Sequence, residues 1–279
     1  PEAELSEGIV DIFEAKGLKI FGPNKSAARL ESSKAFAKDF MKKYGVKTAD
    51  YKIFQGPQLA KEYLEEEASF PIVVKASGLA AGKGVLICFT KEQAIKAVEE
   101  IMEEKSFGDA GQEVVIEEYL QGFEASILSV FNGNEIFPFI SAMDHKKIGE
   151  GETGLNTGGM GVLAPNPKFT QAHFDTFEQE ILKPTLEGLK QEELLFSGVI
   201  FFGLMITEKG IYLLEYNLRM GDPETQATLP LLESDLLEVF QDAHQGKSLD
   251  LKWKDAKSCC VVMASGGYPL NYDKGFEIR

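Results

Sequence analysis

Apolar and polar positions change period several times along this chain, and each change marks a switch between helix and strand. Leu5, Ile9, Ile12 and Phe13 recur at helical spacing, predicting a helix over residues 5–16 closed by Gly17, then a short strand over 18–21. After Gly22, Pro23 and Asn24 a single helix is predicted from Ser26 through Leu30 and Phe36 to Tyr44, ended by Gly45. A linker through Thr48 leads to a strand over 51–54 and a helix over 57–66. Apolar runs over 71–76 and 84–89 flank a glycine-rich loop, and a helix over 91–104 carries its stripe on Ala94, Ile95, Val98 and Met102. With a strand over 114–120, these elements predict a compact α+β unit spanning about 49–118.

Beyond it, strands over 124–131 and 135–142 are joined by the hairpin signal Asn132-Gly133. A polar, glycine-rich loop over 144–161 and a long helix over 171–191 follow. Strands over 198–207 and 210–219 then close the core, and a helix covers 224–245. A last strand over 258–264 and the turn at Gly266, Gly267, Tyr268 and Pro269 are expected to start a further domain. The chain opens at Pro1 straight into a helical pattern and stops at Arg279 in what reads as mid-strand, so it looks like a piece of a longer protein.

Charge narrows the function. With 44 acidic and 29 basic residues the formal net charge is −15, a poor match for nucleic acid or an anionic membrane. Any phosphate must be met locally, by a few lysines, backbone amides and a metal. Three cysteines, two of them adjacent (Cys259, Cys260), provide no disulfide framework and fit a reduced, cytoplasmic protein. No apolar run approaches the ~20 residues of a membrane span.

The strand over 210–219 carries the clearest chemistry. Simple alternation puts Glu215, Asn217 and Arg219 on one face and Tyr212, Leu214, Tyr216 and Leu218 on the other. A carboxylate and an amide oxygen are hard ligands for Mg²⁺, and a guanidinium fork suits phosphoryl oxygens; a solvated polar row is the bland alternative. The loop Lys75-Ala76-Ser77-Gly78-Leu79-Ala80-Ala81-Gly82-Lys83-Gly84 lets backbone approach a polyphosphate closely. It is not a P-loop: three residues separate Gly78 from Gly82, Gly84 follows Lys83, and a strand comes next. A tight structural hairpin remains the competing reading.

Lys75 ends an apolar strand, so its ammonium needs either a bound anion or a glutamate. Lys34 is indistinguishable from a surface helix lysine. Glu117, Glu118, Tyr119 and Leu120 end another strand, where two acids form a solvated edge or flank a nucleotide base, and Glu124 is placed to hold a ribose diol. The run Asn156-Thr157-Gly158-Gly159-Met160-Gly161 either exposes amides to a ligand or is a plain surface loop. His145 has no second ligand nearby in sequence, His173 and His244 lie in helix patterns and read as structural, and no cysteine has a local histidine partner.

Together these stretches resemble one family. Ser33-Lys34-Ala35-Phe36-Ala37-Lys38-Asp39-Phe40, the loop from Val74 to Val85, Phe107-Gly108-Asp109-Ala110-Gly111, Asp144-His145-Lys146, the Asn156 to Gly161 run and the stretch from Glu215 to Gln226 look like the phosphoribosylamine–glycine ligases of the ATP-grasp superfamily. The resemblance runs in order over essentially the whole chain. It departs in lacking most of the family's N- and C-terminal domains and in Ser77, where the family often has an acid.

The resemblance implies an α+β ATP-grasp fold. Residues 1–24 would end an N-terminal α/β domain, 25–252 form the ATP-grasp domain, with 49–118 as a lid hinged near 48–49 and 118–120, and 253–279 begin a C-terminal domain. It implies ATP with Mg²⁺ (or Mn²⁺), and glycine and 5-phosphoribosylamine as substrates of a purine-pathway ligase working as a monomer. Carried over by position, Lys34, Lys75, Ser77, Gly78, Gly82, Lys83 and Gly84 would meet ATP phosphates. Glu117, Glu118, Tyr119 and Leu120 would meet adenine, Glu124 the ribose, Glu215 and Asn217 the metal, and Arg219 the transferring phosphoryl group. Asp144, Asn156, Thr157, Gly158, Gly159, Met160, Gly161 and Asp222 would line the acceptor side, with Arg219, Lys75 and Asp144 catalytic. A biotin-dependent carboxylase, a non-catalytic nucleotide-binding module and a structural or interaction domain are the rival readings. This chain alone is expected to bind ATP·Mg²⁺ but to turn over little.

Overall fold

The structure is a computed structural model that describes residues 2–80 and 83–277. Helices α1 (Glu2–Glu7) and α2 (Ile9–Ala15) stand where one was expected, because Gly8 lies at φ 90° between them. No strand forms over 18–21; Gly22 makes a lone bridge to Ser197. The next expected helix is also two, α3 (Lys25–Ser32) and α4 (Lys34–Tyr44). Ser33 adopts an extended conformation between them, and its hydroxyl accepts the Phe36 N–H as the cap of α4. That break puts Lys34 on the first turn of a new helix.

The unit expected to be a lid is built from β1 (Tyr51–Phe54), α5 (Pro57–Glu66), β2 (Ile72–Ala76), β3 (Val85–Cys88), α6 (Lys91–Val98) and β4 (Val114–Glu118). Its antiparallel sheet runs β1-β4-β2-β3. Ile72, Val74, Ala76, Val114 and Ile116 pack with apolar residues of α5 and α6 in one cluster. Alternation then leaves Val73, Lys75, Val115 and Glu117 on the opposite face, where α4 reaches them.

The core contains β5 (Phe123–Phe131), β6 (Ile136–Pro138), β7 (Met143–Asp144), β8 (Lys147–Gly149), β9 (Thr153–Asn156), β10 (Gly161–Ala164), α7 (Gln171–Phe177), α8 (Lys183–Gln191), β11 (Gly198–Thr207), β12 (Gly210–Asn217), α9 (Glu224–Thr228), α10 (Leu236–His244) and β13 (Ser258–Val261). The main antiparallel sheet is β12-β11-β5-β6, and a smaller one is β13-β10-β7. The strand expected over 135–142 pairs only over Ile136–Pro138, with Ala142 bridging Ser126. The polar loop folds back as the β8–β9 hairpin. The helix expected over 224–245 stops at a 3-10 turn containing Pro230 and restarts where Asp235 caps the Leu237 and Glu238 N–H groups. The stretch expected to lead into a further domain is hydrogen-bonded to β10 through β13.

Leu30, Phe40, Met41, Phe177, Ile181 and Leu189 of the helices bury one face of the main sheet against Ile127, Phe202, Leu213 and Tyr216. Within that sheet β12 bulges. Phe201, Phe202 and Gly203 pair with Asn217, Tyr216 and Glu215, but Leu204 pairs with Leu213, leaving Leu214 as the extra residue. The expected apolar face of Tyr212, Leu214, Tyr216 and Leu218 therefore does not form. Ile211 and Leu213 enter the core before the bulge, and Tyr216 and Leu218 after it. Glu215 and Asn217 still share the other face.

Candidate functional site

Two neighbouring passages join lid to core. The Glu118 N–H donates to the Asp50 carbonyl at 3.0 Å, and the Asp50 N–H donates to the Glu118 carboxylate at 3.2 Å. Thr48 bridges in parallel to Leu213 of β12. Gly122 passes so close to β11 that an added Cβ would meet the Ile206 carbonyl oxygen at 2.0 Å. Glu118 therefore ties the two passages together. Tyr119 is exposed, with its ring against Phe89, and Leu120 is half-buried beside it.

On the core side, β-pairing lines up Ser126, Gly203 and Glu215 across three strands. A Cβ on Gly203 would press against Glu215 Cγ at 3.3 Å, so glycine there leaves Glu215 its room. Burial alone would raise the Glu215 pKa. Lys146, Lys75 and Lys34, with a hydrogen bond from Asn217, outweigh it and hold the carboxyl below its ordinary range. Three lysines from three separate parts of the chain thus act electrostatically on one carboxylate and keep it ionised. Burial lowers the Lys34 pKa despite Glu215, and its ammonium donates to the Gly78 carbonyl at 3.2 Å. Burial would lower Lys146 too, but Glu124, Glu215 and Asp144 raise it on balance, and it donates to Glu124 at 2.6 Å.

Lys75 finds a glutamate. Its ammonium lies 2.9 Å from Glu117 Oε2, and Lys38 reaches the same oxygen at 3.1 Å. One carboxylate oxygen of Glu117 is thus committed to two lysines, and its backbone lies within β4 between β1 and β2. Arg219 lies just past β12 and is held by three groups. Its Nε is 3.2 Å from Glu31 Oε1, and its guanidinium donates to Asn217 Oδ1 at 3.2 Å and to the Met220 carbonyl at 3.3 Å. Glu31 also accepts the Leu218 N–H at 2.6 Å. Burial nevertheless raises its pKa against the pull of Arg219.

The glycine loop is packed rather than splayed. The Ser77 hydroxyl accepts the Ala35 N–H at 3.1 Å, pinning the loop to α4. A Cβ on Gly78 would lie 2.6 Å from Ala110 Cα, and one on Gly84 would lie 2.6 Å from Ala80 Cβ. Lys83 is exposed and lines a concavity of about 420 Å³ with residues of the 266–274 stretch; Gly82 lies outside the described residues.

Asp144 is half-buried, and its Oδ1 has no hydrogen-bond partner. Burial, then the nearby Glu224, push its pKa up to about 7. Glu224 is itself buried and accepts the Ser126 hydroxyl at 3.0 Å. Gly159, at φ 122°, lies over Asp144, where a Cβ would meet Oδ1 at 2.8 Å and Pro223 Cδ at 2.4 Å. The Gly158 N–H donates to the Tyr268 hydroxyl at 3.1 Å, Thr157 bonds the Lys146 carbonyl, and Met160 and Gly161 lead into β10. Asn156 sits apart, exposed on the hairpin, and Asp222 is exposed and paired with Gln226.

Glu31, Lys38, Lys146 and Glu224 were missed by sequence reasoning. A lysine or glutamate inside a helix pattern has no distinguishing period, though Lys38, Lys146 and Glu224 all lie in stretches that carry part of the resemblance. A concavity of about 700 Å³, lined by Met41, Lys47, Thr48, Tyr51, Glu180 and Pro184 among others, contains none of the site candidates, and no chemistry is assigned to it.

The donor set suits Mg²⁺ shared with phosphates. Glu215 and Asn217 offer hard oxygens, while among the described residues no three Asp, Glu, His or Cys side chains converge as a ligand set. A cation here would be completed by phosphate oxygens and water, as Mg²⁺ commonly is.

Comparison with known proteins identifies the family. Residues 32–225 match the family profile described as phosphoribosylglycinamide synthetase, ATP-grasp (A) domain, and residues 1–31 match its N domain. A phosphoribosylamine–glycine ligase of Clostridium acetobutylicum is 54% identical over 280 residues, covering 100% of this chain and 67% of the relative. One from Fusobacterium nucleatum is 56% identical, covering 98% and 65%. The crystal structure of the Thermotoga maritima ligase superposes with a TM-score of 0.85 at 35% identity, covering 91% of this chain and 64% of that one. The biotin carboxylase domain of Hydrogenobacter thermophilus 2-oxoglutarate carboxylase, at 21% identity and a TM-score of 0.70, shares the fold. The chain spans about two thirds of the length of these ligases.

Proposed function

Because this chain belongs to the phosphoribosylglycinamide synthetase family, we propose that it houses the nucleotide and phosphoryl-transfer site of an ATP-dependent ligase joining glycine to 5-phosphoribosylamine. The observation that carries the reading is that Lys34, Lys75 and Lys146 together hold Glu215 ionised, with Asn217 and Arg219 hydrogen-bonded to each other just after it on the same strand end. Such a set attracts a polyphosphate, offers oxygens to its cation and aims a guanidinium where charge is redistributed.

In the first step a glycine carboxylate oxygen attacks the γ-phosphorus, forming a P–O bond while the bond to ADP breaks. In the second, the ribosylamine nitrogen attacks the acyl carbon, phosphate leaves with the C–O electron pair, and the nitrogen gives up a proton. Lys34 and Lys75 bind phosphates, and Arg219, held by Glu31, stabilises the transferring group. Bound Mg²⁺ (or Mn²⁺) on Glu215 and Asn217 would neutralise charge on the phosphates. Glu124 is placed for the ribose once it releases Lys146, and the backbone over 117–120 for the base. Asp144, titrating near neutral pH, is suited to take the amine proton. Gly158, Gly159 and Gly161 shape the acceptor side around it.

The test is phosphate release from ATP in the full-length enzyme. Release is expected with glycine and phosphoribosylamine together and is expected to be absent with bicarbonate. Release driven by bicarbonate would favour the carboxylase reading and overturn this one.

A further inference from the structure

A helix lysine that no pattern distinguished ends up in the middle of the molecule. Lys38 is 2% exposed, and its ammonium touches both halves of the structure. On the lid side it lies 3.1 Å from Glu117 Oε2, the oxygen that also holds Lys75 at 2.9 Å. On the core side it donates to the Thr48 hydroxyl at 2.6 Å, which in turn donates to the Leu213 carbonyl at 2.6 Å. Leu213 immediately precedes the bulge that turns Glu215 toward the site.

We infer that Lys38 is a positioning residue: by sharing Glu117 with Lys75, it leaves the charge of Lys75 available to a bound polyphosphate. This rests on the nucleotide reading above. The trio of Lys38, Lys75 and Glu117 has two ammonium groups and one carboxylate, so it carries one net positive charge on the lid face turned to the core. Without Lys38 the sum is zero, and Lys75 is the one ammonium still in direct contact with Glu117, with Lys34 acting on it only at longer range. Glu117 Oε1 is already buried without a partner, so the carboxylate would draw Lys75 further from the site. Lys38 directs its own ammonium to Glu117 and Thr48, and it acts on the nucleotide through Lys75.

The trio also gives a pH signature. Burial pushes the Lys38 pKa down to about 8, against the pull of Glu117 and Glu215 and with Lys75 adding to the drop. Above that pH the ammonium loses its proton and the trio loses its net charge.

The experiment is calorimetry of this chain with adenosine, ADP and a non-hydrolysable ATP analogue, the nucleotides with Mg²⁺. Wild type is compared with Lys38→Met, Lys38→Arg and the double variant Lys38→Met/Glu117→Gln. At pH 7, Lys38→Met is expected to weaken the ATP analogue about tenfold and to leave adenosine within about twofold, since only phosphates sense the lost charge. Lys38→Arg should keep most of the affinity. The double variant should recover it, because removing the carboxylate frees Lys75 again. Wild-type affinity for the analogue should fall as pH rises through about 8, and Lys38→Met should lack that step. Equal losses for adenosine and the triphosphate, or further damage in the double variant, would overturn the inference and leave the nucleotide reading standing. Wild type that bound no nucleotide would overturn both. If Lys38→Met does not fold, the wild-type pH series and Lys38→Arg decide the question.

Discussion

Replacing Asp144 by Asn should make the protein more stable at alkaline pH while disabling its chemistry. The reason is the strain of an ionised carboxylate kept at a buried site beside Glu224, with Oδ1 unpartnered. The folded-state pKa is pushed up to about 7 from an ordinary 3.8. At ~1.4 kcal/mol per tenfold in acidity, that is a ceiling of about 4 kcal/mol. Solvent access at a half-buried group reduces it to about 1–3 kcal/mol. The sign follows from proton counting. Between about pH 4 and pH 7 the folded protein keeps the Asp144 proton while the unfolded chain has released it, so this group's contribution to stability falls as pH rises through that window. Above pH 7 it is flat. Asn carries no such slope, so the variant should match wild type near pH 4 and exceed it by about 1–3 kcal/mol at pH 8. For a domain of this size that is a rise of roughly 3–10 °C in melting temperature. Thermal melts of both proteins from pH 4 to 8, without ligand, read it directly. In the full-length enzyme glycine-dependent turnover should fall by about 10²-fold or more. An offset between the two proteins that stays constant with pH would refute the reasoning, as would an Asn variant that is least stable where the carboxylate is ionised.

Other residues should fail in distinguishable ways. Arg219→Lys keeps a charge but loses the fork held by Glu31 and Asn217, and kcat should drop roughly 10²-fold with a far smaller change in the KM for ATP. Glu215→Gln should instead weaken Mg²⁺ binding and recover part of its activity in excess Mg²⁺; equal rescue of both variants would erase that division of roles. Hydrogen exchange over residues 76–80 and 83–84 should slow when nucleotide binds, as a lid closing over phosphates requires, and an unchanged pattern would indicate a rigid cleft. Tyr216→Phe removes the buried 2.6 Å hydrogen bond to Thr185 and should cost about 1–2 kcal/mol in denaturant unfolding, with m unchanged.

The sequence by itself determined most of the longer helices and strands and the strand face that carries Glu215 and Asn217, but not the short strands β7 to β10 in the stretch read as a loop. What it determined follows from period and from capping residues, which act over a few neighbours: Gly45 ends α4, and Pro57 opens α5 as expected. Breaks that depend on one side chain choosing a cap over the helix interior, such as Ser33, were passed over because either choice fits the local pattern. The bulge at Leu214 was invisible for a different reason. It is a property of the pairing with β11 and not of β12 alone, and one extra residue re-phased the apolar alternation that simple counting assumed. The charge network was the least legible part. Lys38, Lys75 and Glu117 come from three elements, and Lys34, Lys75 and Lys146 converge on Glu215 from sites far apart in sequence. Whether a lysine lies on the surface or compensates a buried carboxylate depends on burial and on partners. Only the packing of lid, helix α4 and core sheet supplies both.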